Sequence, residues 1–193
     1  MAKAKVEITI KGDVQNESPY IITSALIREM KCSYGYEFRE GATAGDKVPT
    51  RKGENLIHED LRNAFEELKP HLAILDDAFK LLPKVKTFED KAQHEIVEGY
   101  YITGFKVQGS DENVGYILIG DKHVEQGAIG FETPKITSAS GYPYYSQLRE
   151  SIEHVRNEVL QYMNGKCEIE DDPQLVMVFK ENGGDGNEFN NPE

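Results

Sequence analysis

Five histidines, His58, His71, His94, His123 and His154, are the side chains here best suited to hold a metal or move a proton. None stands in an HxH, HxxxH or HExxH pattern, the spacings that set two imidazoles on one side of an element. His58-Glu59-Asp60 is the densest run of ligand-type residues, but successive helix positions point in different directions. Cys32 and Cys167 lie far apart and neither belongs to a CxxC pair, so they read as reduced thiols of a cytosolic protein. There is no GxGxxG, GxxxxGK[ST] or GxSxG turn, so neither a phosphate-cradling loop nor a nucleophile elbow is expected. The neighbouring carboxylates Asp76-Asp77 and Asp171-Asp172 read as solvated, because 34 acidic residues produce such pairs by chance. These patterns assign no catalytic residue, no metal and no cofactor.

Binding chemistry is better represented. Lys47, Arg51 and Lys52 form a basic cluster within Gly41–Gly53, a stretch of glycine, proline and small residues that reads as a flexible, anion-contacting loop. Lys106 is a further candidate anion contact. Ten tyrosines and no tryptophan are present, clustered at Tyr34 and Tyr36, at Tyr100 and Tyr101, and at Tyr142, Tyr144 and Tyr145. A flat ring with a polar tip suits base stacking or a protein interface. The last residues, ENGGDGNEFNNPE, are acidic and carry one aromatic, Phe189. They read as a disordered tail over 181–193 that can recruit a protein partner.

Charge limits what such a surface can meet. The 193 residues carry 22 basic and 34 acidic side chains, a net charge of −12. Residues 168–193 hold eight acids and one lysine, and so account for −7 of it. Attraction of the whole molecule to a phosphate backbone is therefore not expected, whereas a local basic face on the mildly acidic body is compatible with these numbers. No apolar stretch approaches the roughly 20 residues of a membrane helix, and the N-terminus enters a strand pattern without a signal-peptide core. Both point to a soluble cytoplasmic protein.

These residues must be positioned by strands and amphipathic helices. Lys5–Lys11 alternates as a half-buried strand, and Tyr20–Thr23 reads as strand. Leu26–Phe38 puts Leu26, Met30, Cys32, Tyr34, Tyr36 and Phe38 on one face; its length requires a bend or a join near Tyr34-Gly35-Tyr36. A helix is expected from Asn55, with Leu56, Ile57, Leu61, Ala64, Phe65 and Leu68 as its stripe, ended or kinked by Pro70. A second runs from Leu72 to Leu82, followed by a charged linker, Lys84–Gln93, anchored by Phe88.

Residues 100–133 form a β-meander with runs at Tyr101–Val107, Tyr116–Ile119 and Ala128–Phe131. Alternation places Tyr101, Thr103, Phe105 and Val107 on one face. Gly104, Gly115, Gly120 and Gly130 mark curvature or close approach. Ser146 caps the clearest helix, which Asn164-Gly165 stops. Leu175–Phe179 reads as a deep strand. The expected class is α+β, a mainly antiparallel curved sheet with amphipathic helices packed on one face, as one domain over 1–180. No residue-by-residue repeat is evident. Each half, 1–83 and 99–180, nevertheless reads as strands followed by helix, the pattern a structural duplication would leave.

The meander, Ile102-Thr103-Gly104-Phe105-Lys106-Val107 through Gly115-Tyr116-Ile117-Leu118-Ile119-Gly120 to Thr133-Pro134, resembles small uncharacterised proteins of phages and integrated mobile elements. The resemblance spans about 35 residues and carries over no catalytic residue. It implies a bacterial host and a setting in DNA replication or recombination. The acidic tail is also similar to those of bacterial single-stranded-DNA-binding proteins, but lacks their terminal Pro-Phe tip. The expectation is a non-enzymatic binding or assembly protein, a homo-oligomer with single-stranded nucleic acid and a protein as partners. A nucleotide-binding protein and a structural virion component are the alternatives.

Overall fold

The computed structural model describes residues 18–40, 43–110 and 113–168. The strand expected at Lys5–Lys11, the one at Leu175–Phe179 and the tail with Phe189 lie outside the described residues. Three strands open the described chain: β1 (Tyr20–Arg28), β2 (Lys31–Phe38) and β3 (Lys47–Leu56). Three short helices follow, α1 (Glu59–Glu66), α2 (Lys69–Leu75) and α3 (Phe88–Ala92), and then a 3₁₀ turn, Glu95–Gly99. The second half runs β4 (Tyr100–Gln108), β5 (Gly115–Val124), β6 (Gly127–Glu132), a two-residue β7 (Ile136–Thr137) and the long α4 (Tyr145–Met163). All strands join one antiparallel sheet in the order β3-β2-β1-β4-β5-β6, with β7 also paired to β5. The α+β class with helices on one face is what the structure shows.

Two three-stranded meanders meet at a short seam, where Ser24, Ala25 and Leu26 of β1 pair with Lys106, Phe105 and Gly104 of β4. Their registers match. Ala25↔Tyr34 and Ile27↔Cys32 in the first half correspond to Phe105↔Leu118 and Val107↔Tyr116 in the second. Each half also has a bulge at a threonine: Thr23 is the extra residue between Ile22 and Ser24, and Thr103 the extra one between Ile102 and Gly104. Aligned this way, Tyr20-Ile21-Ile22-Thr23 lies over Tyr100-Tyr101-Ile102-Thr103. The repeat was hidden because it is confined to the first strand of each half.

The bulges correct the expected faces. A bulge sets two residues against one and resets the alternation. Tyr100, Ile102, Phe105 and Val107 therefore face the helices, while Tyr101 and Thr103 face away. Likewise Ile22, Ala25 and Ile27 of β1 point inward with Cys32, Tyr34, Tyr36 and Phe38 of β2. Leu26 lies on the opposite face, and Met30 sits in a turn.

That turn is Glu29-Met30, not the expected join near Tyr34-Gly35-Tyr36. Both residues have positive φ, +50° and +62°, the two-residue geometry that hairpins fill with Asn-Gly or Asp-Gly. Neither Glu nor Met signals such a turn, and Gly35 instead lies mid-strand against the Ser24 hydroxyl. Left-handed backbone at non-glycine positions costs on the order of 1 kcal/mol or more per residue. Replacing Glu29-Met30 by Asn-Gly should raise stability by about 1–2 kcal/mol, seen as a higher urea midpoint at unchanged slope. A lower midpoint would contradict the turn.

β3 occupies most of the expected Gly41–Gly53 loop. As the last strand in the sheet order, it tolerates Pro49, which has no amide to donate, and its exposed charges suit an edge. Gly53 is required there, because a Cβ would run into the Tyr162 hydroxyl and the Cys32 carbonyl. The helix expected from Asn55 begins only at Glu59, because Asn55 and Leu56 finish β3 and Ile57 forms a bridge to Cys167. His58 caps it, its Nδ1 accepting from the Asp60 amide at 3.1 Å.

Pro70 sits in the first turn of α2, where a missing amide costs nothing. That helix ends at Leu75, well before Leu82, as Asp77 turns left-handed at φ +57°. The expected linker contains α3, started by a capping box between Thr87 and Asp90. The final helix matches expectation within a residue or two, its cap being Tyr144 rather than Ser146.

The helices are exchanged between the halves. α1 and α2 rest on β4, α4 rests on β1, and α1 packs against α4. Leu61, Ala64, Phe65 and Leu68 of the first half thus share one core with Leu148, Ile152, Val155 and Val159 of the second. Cys32 lies in that core, fully buried, and burial pushes its thiol up to about 12 against a weaker opposing hydrogen bond to Leu26. Cys167 is half-buried. A disulfide-exchange reagent should therefore label Cys167 in the native protein and Cys32 only on unfolding. Equal labelling rates would refute this burial.

Candidate functional site

The expected site residues fall on opposite faces of the sheet. Tyr142, Tyr144 and Tyr145 lie on the helix side, around the start of α4. The Tyr142 hydroxyl is 2.8 Å from His71 Nδ1, and Tyr144 donates to the Lys86 carbonyl at 2.7 Å. Phe88 stacks on His71 with centroids 4.7 Å apart and leans on Tyr144. Lys91 sits over the Tyr144 ring, and Tyr145 packs beside Tyr116. The cluster ties α2, α3 and α4 together. A second helix-side cluster joins Asp76, which accepts from Tyr100 at 2.6 Å and Lys122 at 2.7 Å. Burial alone would raise the Asp76 pKa, but those two hydrogen bonds outweigh it and hold the carboxyl below its ordinary range.

The basic candidates divide. Arg51 stands opposite Tyr34, whose ring meets Tyr162 of α4, so it belongs to the helix side. Lys47 faces away from the helices and lies 4.0 Å from Glu37. Lys106 also faces away and is bound to Glu132 at 2.7 Å. Lys52, opposite Ser33, is on the same outer face and has no side-chain partner among the described residues. The basic cluster is thus split by strand alternation, which a loop reading could not show.

Sequence reasoning missed two cations beside Lys52. Arg28 and Lys31 flank the Glu29-Met30 turn and stand directly opposite each other across the hairpin. Ser33, two residues after Lys31, faces Lys52. Arg28 and Lys31 are thus direct cross-strand neighbours, and Lys52 lies diagonal to Lys31 across a register shift in which Lys31 itself pairs with Leu56; all three are exposed and without a side-chain partner among the described residues. Like charges directly opposed in a sheet are destabilising, so nothing in the fold itself favours this arrangement. The only early signal would have been the correct turn position.

Next to Arg28 the outer face dips into a shallow cavity of about 470 Å³ over the Thr103 bulge. Leu26 and Ile119 supply apolar walls, and Asp121 and Glu132 lie on its rim. Tyr101, 44% exposed, is paired across the ladder with Asp121 and packs on His123 at 4.5 Å. Among the described residues, no group of three His, Cys, Asp or Glu converges as a metal site, and no helix is long and apolar enough to cross a membrane. No family model, curated protein or solved structure matches this chain.

Proposed function

We propose that this chain is a non-enzymatic protein that takes single-stranded nucleic acid across the face of its sheet opposite the described helices, as an accessory to DNA replication or recombination in a phage or mobile element. The observation that carries the reading is the stripe Arg28-Lys31-Lys52, three adjacent cations with no carboxylate partner among the described residues. An anion lying between them would turn the repulsion of Arg28 and Lys31 into attraction. Among the described residues no helix packs on this face of the sheet; it carries the exposed His123 and Tyr101, the latter with Lys69 Nζ of α2 5.4 Å from its ring centre, and such rings can stack bases. The net charge of −12 does not oppose this, because exposed charges farther off than about 10 Å are largely screened at 0.1 M salt.

Fluorescence anisotropy with a labelled oligo-dT at 50–200 mM salt tests the proposal. Reversing Arg28, Lys31 and Lys52 to glutamate should weaken binding at least about 10-fold and reduce the salt slope by about 2, the value for three lost phosphate contacts. Arg51→Glu, on the same strand but the other face, should leave both unchanged. Absence of binding by the unaltered protein at 50 mM salt would overturn the reading.

A further inference from the structure

We infer that the cavity beside Arg28 is a subsite for a guanine nucleotide unit, with Asp121 reading the base and Arg28 holding its phosphate. This rests on the open-face reading for the strand that delivers the base. Three charged side chains line the cavity: Glu132 is bound to Lys106 at 2.7 Å, whereas Arg28 and Asp121 pair neither with each other nor with another side chain among the described residues. A single ligand that satisfies both must offer hydrogen-bond donors to the carboxylate and an anion to the guanidinium. Guanine does so, because its ring N–H and exocyclic amine lie side by side on one edge and match the two oxygens of a carboxylate. Adenine and cytosine present one donor group on that edge beside an acceptor, which a carboxylate repels.

Shape agrees. The walls Leu26 and Ile119 are apolar, and Gly130 contributes no side chain where a Cβ would come within 2.9 Å of Asp121 Oδ1. That leaves the carboxylate open to a planar ring. A volume of about 470 Å³ lies within the range of small-molecule sites and exceeds what a free amino acid, which also offers N–H donors and an anion, would fill. Arg28 belongs to the cavity and to the basic stripe alike, so a phosphate on the stripe places the attached base over the cavity.

The test compares oligo-dT strands carrying one central dG, dA or dC, and in parallel free GMP against AMP by titration calorimetry, all with the full chain. The dG strand should bind about 10-fold more tightly than the dA strand, within the range of one bidentate base contact. Asp121→Asn and Gly130→Val should each abolish that preference, read as the ratio of dG-strand to oligo-dT affinity within each variant. Equal binding of all strands, or a preference that survives Asp121→Asn, overturns the subsite. Asp121-dependent binding of GMP without any strand binding would keep the subsite as a mononucleotide site and sink the open-face reading alone. Neither strand nor GMP binding sinks both.

Discussion

Between pH 6.5 and pH 4 this protein should lose about 3 kcal/mol of stability through one side chain, His71. Its ring is fully buried, stacked on Phe88 and held at Nδ1 by the Tyr142 hydroxyl, while Nε2 is buried with no partner among the described residues. Burial lowers its pKa from the ordinary 6.5 to about 4. A charged imidazole donates through both nitrogens: the Tyr142 oxygen can accept from Nδ1–H, but Nε2–H meets no acceptor among the described residues. In the unfolded chain the same histidine takes up its proton near pH 6.5. The unfolded state therefore binds more protons throughout the window from 6.5 down to 4, and stability falls with pH across it. The contribution is fully present above pH 6.5 and exhausted below pH 4. A shift of this size corresponds to about 3 kcal/mol at 1.36 kcal/mol per unit.

Carboxylates titrate over the lower part of the same window, so the informative quantity is a difference. His71→Leu keeps an apolar side chain of similar bulk and removes the titration. Urea midpoints measured at pH 7, 6, 5 and 4 should diverge, with the variant gaining on the parent by about 3 kcal/mol as pH falls. At pH 7 the variant should lie within about 1–2 kcal/mol of the parent, the cost of leaving the Tyr142 hydroxyl unpaired. Parallel pH profiles would show that His71 is hydrated or paired, contrary to the structure.

What could be read from the chain before its structure, and what could not, follows from the range of the interactions involved. Helix stripes such as Leu148, Ile152, Val155 and Val159 are local patterns, and the helix they predict is found almost to the residue. The meander was equally legible, since its turns are polar and its strands apolar. The failures share one cause. Strand faces were assigned by counting in twos, and bulges at Thr23 and Thr103 break the count without leaving a compositional mark. The first hairpin turns at Glu29-Met30, a pair with no turn propensity, so the glycine at 35 drew the expectation instead. That single misplacement hid the opposition of Arg28 and Lys31. It also left Lys47, Arg51 and Lys52 together in a loop, when β3 sends Arg51 to one side of the sheet and Lys52 to the other. Charged, proline-containing edge strands look like loops because their constraint is the neighbouring strand, which lies outside any sequence window.

Phe105→Ala should cost about 3–5 kcal/mol, a large share of the roughly 5–15 kcal/mol that holds a native domain, and it should do so without dividing the molecule in two. Phe105 is fully buried, paired with Ala25 across the seam and with Leu118 on its other side, and its ring meets Phe65 of α1 at 6.3 Å. Only three residue pairs of ladder join the two meanders there, so a cavity at this point has little backbone to spread its strain. If the halves were independent units joined by that seam, weakening it would let one unfold before the other. The exchanged helices argue against this, because α1 and α2 of the first half cover β4 and α4 of the second covers β1. Each meander is covered in large part by the other half's helices, although Tyr145 of α4 also packs beside Tyr116 of its own half, and opening either half exposes the core of both. Far-UV circular dichroism, which follows all the helices, and thiol labelling of Cys32, which follows the first half, should therefore give one coincident midpoint in the parent and in Phe105→Ala alike, lower by about 10 °C in the variant. Separated midpoints would mean that the halves fold as two units and that the helix exchange contributes little.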